Sequence, residues 1–175
     1  MAERLSYEES CRFLQQTGWL KDSEIPKLPE RAPQYDDEIL GVEFFRTMVE
    51  HGSFEKLTLP RTYFGRSEIK SSSFAGSDLT ESVANWNDFV NVNFSKTDLT
   101  KFDFRGCAMQ GVNFSGSTLK DADLRCCGFE NCNFQDAVMT GAKMTKETGA
   151  AVNLAPSQRE VIDWHDEDGP EPGGG

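Results

Sequence analysis

A chain of 175 residues with a formal net charge of -11 and 27% charged residues fits one ordinary domain with tails rather than two full globular domains. Its 37% hydrophobic content is low for a compact core, yet 13 phenylalanines are too many for a disordered chain, so a fold must order them. No run approaches the roughly 18 to 20 apolar residues of a membrane span. The opening MAERLSYEES lacks the apolar stretch of a signal peptide, and the acidic balance opposes direct binding to nucleic acid or anionic membranes, so a cytoplasmic setting is expected.

In chain order, Ser6 and Glu9 stand at capping-box spacing, the run from Tyr7 to Gln16 is helix-compatible, and Gly18 suits a C-terminal stop. Pro26, Pro29 and Pro33 then interrupt any regular element. The segment DDEILGVEFFRTMVEHG reads as a second helix or as mixed strand and turn, and its Ile39, Leu40, Phe44, Phe45 and Met48 need a surface to bury against. Residues 1–53 are therefore expected to form a helical or irregular N-terminal cap.

From Phe64 onward every fifth residue is apolar: Phe64, Ile69, Phe74, Leu79, Ala84, Phe89, Phe94, Leu99, Phe104, Met109 and so on to Met144. Of these seventeen only Ala84 is small. Two residues before each stands a mostly small residue, such as Ser72, Ser77, Ser82, Thr97, Cys107, Ala122 and Cys127. Neither a helix (period 3.6) nor a flat strand (period 2) keeps positions five apart on one face for eighty residues. A chain that turns a corner every five residues does, with one large and one small side chain pointing to a common axis.

With SDL, TDL, VNF, ADL and CNF recurring, and Asp or Asn before the central residue at Asp78, Asp88, Asn93, Asp98, Asp103, Asn113, Asp123 and Asn133, this stretch resembles the pentapeptide-repeat family, written A(D/N)LXX. The resemblance implies an all-β solenoid: a right-handed quadrilateral β-helix with four pentapeptides per coil. The expected organisation is about four coils over 54–146, a short C-terminal cap over 147–164 and a disordered acidic Pro/Gly tail over 165–175. Positions twenty apart should stack, giving the ladder Phe74, Phe94, Phe114, Phe134 and the ladder Leu79, Leu99, Leu119, Met139. At the level of Ala84, the bulky Phe102 is expected to fill the vacated volume.

Chemistry is sparse. Cys107, Cys127 and Cys132 fall at the small inward position, where thiols fit as small, weakly polar groups, and the two histidines, His51 and His165, lie outside the repeat. No metal site, cofactor or catalytic set is expected, and the chain is not expected to be an enzyme. The recurrent Asp and Asn are expected to bond their own turns. The nets are -5 over 1–53, -1 over 54–144 and -5 over 145–175, so the acidity lies in the ends.

The side carrying Phe64 is expected to present Tyr63, Arg66, Trp86, Arg105, Arg125 and Lys143 to a protein partner, since aromatic residues and Arg are enriched at binding hot spots. Val161, Ile162 and Trp164 can pair two copies as a homodimer or cap a monomer. The leading expectation is a rigid protein-binding scaffold of immunity type that neutralises a toxin. The alternative, implied by family members that protect type II topoisomerases from quinolones, is DNA mimicry, which asks for about one negative charge per 1.7 Å of axis.

Overall fold

The computed structural model describes residues 3–34 and 41–167. One helix, α1 (Tyr7–Gln16), precedes a series of three-residue strands: β1 (Glu43–Phe45), β2 (Met48–Glu50), β3 (Tyr63–Gly65), β4 (Glu68–Lys70), β5 (Val83–Asn85), β6 (Asp88–Val90), β7 (Ala108–Gln110), β8 (Gly128–Glu130) and β9 (Lys143–Thr145). Two short helices, α2 (Lys146–Ala150) and α3 (Pro156–Val161), and a last strand, β10 (Asp163–His165), complete the described chain.

Every strand pairing is parallel with a register of twenty residues, so Phe44 lies opposite Phe64, Ile69 opposite Phe89, and Trp164 opposite Met144. Single bridges continue the same register on the other two sides, through Ser73, Asn93 and Asn113 and through Asp78, Asp98 and Thr118. The chain is thus a four-sided solenoid with a common interior. Neighbouring coils are tied alternately: Asn93 N–H donates down to Ser72 O at 2.9 Å, and Phe94 N–H donates up to Asn113 O at 2.7 Å.

The large residues fill the axis. Phe54, Phe74, Phe94, Phe114 and Phe134 form one ladder of stacked rings with centroids 4.8 to 5.6 Å apart. Phe102 lies parallel to Phe104 at 3.8 Å and to Phe64 at 6.0 Å, occupying the level at which Ala84 leaves room. The inward small residues also close backbone bonds: Ser77 Oγ donates to Phe54 O and accepts the Leu57 N–H at 2.9 Å. Cys107 and Cys127 take over this role, donating to Ala84 O and Phe104 O at 3.1 and 3.0 Å and accepting N–H from the coil below.

The solenoid makes about six turns rather than four, a height of roughly 29 Å at the usual strand spacing. The expected count fell short at both ends. Phe44 and Val49 continue the five-residue register below Phe54, so the segment from Glu43 pairs as strand and turn with β3 and β4. At the other end β10 joins β9 after α2 and α3 have broken the five-residue spacing.

At the N-terminal end α1 lies across the first coils. Its capping box of Ser6 and Glu9 is formed, Leu5 N–H donates to Lys56 O at 2.9 Å, and Trp19 packs on Phe54 at 5.7 Å. Ile39, Leu40 and most of the acidic Pro/Gly tail lie outside the described residues.

Candidate docking edge around Trp86

Each corner of the solenoid is made by one residue in the left-handed region. All twenty positions spaced by five from Arg46 to Gly141 have φ between +48° and +80°, and fifteen of them carry a side chain. A left-handed residue costs about 1 kcal/mol or more without glycine, so the coil pairing above and below must hold these corners in place. Most of their side chains are exposed, and the four columns of corner residues form the outer edges of the rod.

One such edge carries Arg46, Arg66, Trp86, Gly106 and Cys126 in sequence. Trp86 sits at φ +58° and is 39% exposed. On the same edge, in the first coil, Phe45 is 40% and Met48 58% exposed, and the Arg46 guanidinium lies 5.1 Å from the Phe45 ring centroid. Three of the five exposed large apolar side chains among the described residues therefore share one edge with Arg46 and Arg66.

The residues read from the sequence as one face stand on one side, in two different settings. Tyr63 is nearly buried, at 3% exposure, with its ring 6.1 Å from Phe45, whereas Arg66 and Trp86 are exposed at the corner. Arg105 donates through Nε and Nη2 to Asp103 at 3.0 and 2.9 Å, and Arg125 repeats this with Asp123 at 3.0 and 2.8 Å. These hydrogen bonds hold both guanidinium groups above their ordinary pKa and make the two arginines part of a charge ladder. Lys143 stands half-buried in β9, next on the column after Asp103 and Asp123.

Phe45, Arg46 and Met48 belong to the edge but were assigned to the cap from sequence. The signal that places them is the five-residue register carried back from Phe54 through Val49 to Phe44, which sets Phe45 and Met48 outside.

At the C-terminal end, Val161 is exposed while its carbonyl accepts the Gly141 N–H at 2.8 Å. Ile162 is buried, and the half-buried Trp164 donates its indole N–H to Arg159 O at 2.9 Å with its ring against Gly149. These contacts close the last coil within one chain.

Of the eight Asp and Asn before the central residues, all but Asp88, which opens β6, are bonded to their own turns. Asp78, Asn93, Asp98, Asp103, Asn113, Asp123 and Asn133 each take the N–H two residues on, at 2.9 to 3.1 Å. Burial pushes the Cys107 and Cys127 thiols above their ordinary pKa. Among the described residues no group of three or more His, Cys, Asp or Glu is placed to hold a metal ion, and no helix is long and apolar enough to cross a membrane.

The family model for pentapeptide repeats matches residues 88–125 and 119–146 in eight copies. Residues 88–146 of the rod are pentapeptide repeats. Solved structures similar to the chain include a pentapeptide repeat protein from the Arabidopsis thaliana thylakoid lumen, at 25% identity over 67% of this chain and 78% of that one, TM-score 0.44. Another is a pentapeptide repeat protein from the cyanobacterium Cyanothece 51142, at 14% identity over 57% and 85%, TM-score 0.36. A third is QnrB1, a plasmid-mediated fluoroquinolone resistance protein, at 21% identity over 76% and 70%, TM-score 0.31. No curated protein matches the chain.

Proposed function

We propose that this pentapeptide-repeat protein is a non-enzymatic, rigid scaffold that docks one protein partner along the Trp86 edge. The observation that carries the reading is the grouping of Phe45, Met48 and Trp86 with Arg46 and Arg66 on one edge of a stiff rod. Aromatic, Met and Arg side chains are the types that supply most of the energy at protein interfaces. A fixed backbone also lowers the conformational cost of binding. Tyr63 supports the edge from beneath, and the ladder of Arg105, Arg125 and Lys143 extends the same side toward the C-terminal end. Neutralising a toxin by stoichiometric capture is a role such a binder can fill with no chemistry of its own.

Imitation of DNA for topoisomerase protection is the weaker reading. It needs a regular column of outward carboxylates, whereas Asp103 and Asp123 are bridged by arginines and Asp78 and Asp98 turn onto their own backbone. The test is an affinity capture from source-cell lysate with the native chain and with Trp86→Gly/Arg66→Glu, since glycine keeps the left-handed corner while removing the indole. A stoichiometric partner held by the native chain and lost by the variant is the expected result. Equal capture by both sinks the proposed edge, and capture of DNA gyrase that added DNA reverses puts the mimicry reading first.

A further inference from the structure

A different corner of the rod carries a cleft that this docking role does not use. It has a volume of about 920 Å³ and is lined by Arg4, Glu55, Lys56, Thr58, Ser95 and Lys96. Lys56 and Lys96 are left-handed corner residues on one edge, at φ +58° and +54°, with Gly76 and Gly116 as the corners next above them. The lysine stems run along the edge toward the coil above: an atom at the Cβ position of Gly76 would stand 3.5 Å from Lys56 Cγ, and at Gly116 3.4 Å from Lys96 Cγ. Arg4 reaches the same place from the segment before α1, its Nε donating to Gly76 O at 2.8 Å, which leaves the two Nη groups as further donors.

These three cations gather in a chain of net charge -11, and among the described residues none of them is ion-paired. One carboxylate, Glu55, shares the lining with the three cations. Glu55 accepts from Ser73 Oγ at 2.8 Å, and Asp78 and Asp98 accept the N–H groups of Thr80 and Thr100 at 2.9 and 3.1 Å. With three cations to one carboxylate the cleft is net positive, and Arg and Lys donors are the groups that grip phosphate oxygens.

We infer that this cleft binds a small, multiply charged phosphate-type anion, held by Arg4, Lys56 and Lys96. The guanidinium, pinned through Nε, is the directional contact, and the two ammonium groups supply charge. The site is separate from the Trp86 edge, so either can fail without the other.

Isothermal titration of the full chain with inorganic pyrophosphate is the test, with sulfate in a parallel arm to separate a phosphate site from general attraction of anions. Lys56→Asn/Lys96→Asn removes two charges while keeping a residue type that tolerates the left-handed corner. Arg4→Gln is a second variant outside the solenoid. The expected result is saturable 1:1 binding of pyrophosphate, stronger than that of sulfate, and weakened at least about tenfold in each variant. Absence of saturation up to about 10 mM pyrophosphate overturns the inference, as does equal affinity in the variants or equal binding of sulfate.

Discussion

The corners decide much of what single residues can do in this chain. Since each corner residue has positive φ, a side chain there is tolerated only at a backbone cost, and a β-branched one least of all. Gly111, at φ +63°, has Asn91 Oδ1 folded over it. Gly111→Val should lower stability by about 1–2 kcal/mol, because that amide can swing aside but the backbone cannot relax. Lys101→Gly, at φ +59°, should change stability by no more than about 1 kcal/mol, since relief at the corner offsets the extra freedom of the unfolded chain. Urea unfolding of both variants checks the pair; equal losses would mean that corner conformation is not what limits these positions.

At the scale of elements, the inward ladder is a set of coupled levels rather than independent contacts. Phe102→Ala alone opens a cavity beside Ala84 and between the rings of Phe64 and Phe104, with an expected loss of about 3–5 kcal/mol. Ala84→Phe alone overfills the same level. The double variant Ala84→Phe/Phe102→Ala moves the ring from the small position to the central one. It should be more stable than either single variant, and thermal melts that show additive losses would contradict the shared volume. Phe94→Asp should prevent folding altogether, because a charge would lie unpaired between the stacked rings of Phe74 and Phe114. A variant that melts like the parent would refute the register.

The caps behave differently from the rod because their contacts are more exposed. Hydrogen bonds from Ser6 hold the Glu9 carboxyl below its usual range, and Lys146 does the same for Asp166. A carboxyl lowered on folding contributes stability that is present above its unfolded pKa and is lost as pH falls through the folded value. Acid below about pH 4 should therefore loosen α1 and the Lys146–Asp166 contact before the solenoid opens. Amide exchange followed residue by residue reads the order, and simultaneous loss of rod and caps would contradict it.

For the whole molecule, the consequence of a solenoid is two ends that differ. At the N-terminal end Trp19, just after α1, packs on Phe54 and Ser10 of α1 accepts the Thr58 N–H at 2.8 Å, and at the other end Trp164 lies over Met144. Deleting residues through Leu20 uncovers an apolar coil with unpaired strand edges, so the shortened chain should self-associate. Light scattering of that variant against the parent tests the capping role; a monomeric, fully soluble product would show that α1 is dispensable.

The five-residue spacing of large residues, with small ones two positions before, was enough to determine the solenoid; the resemblance to the pentapeptide-repeat family supplied its four sides, and with them the ring ladder and the exchange of volume between Ala84 and Phe102. A local periodicity of this kind dictates which side chains point inward wherever the chain keeps turning. The first coil was less legible because Phe44, Phe45 and Met48 also fit a helical face, and only pairing of Glu43–Phe45 with Tyr63–Gly65 decides for strand. The same pairing puts Phe45 and Met48 on the edge with Trp86 and buries Tyr63. Farther up the rod, Asp103 and Asp123 draw in Arg105 and Arg125, which the sequence left outward. Which outward side chains remain exposed depends on neighbours twenty residues away and on the caps, and those contacts exist only in the folded chain.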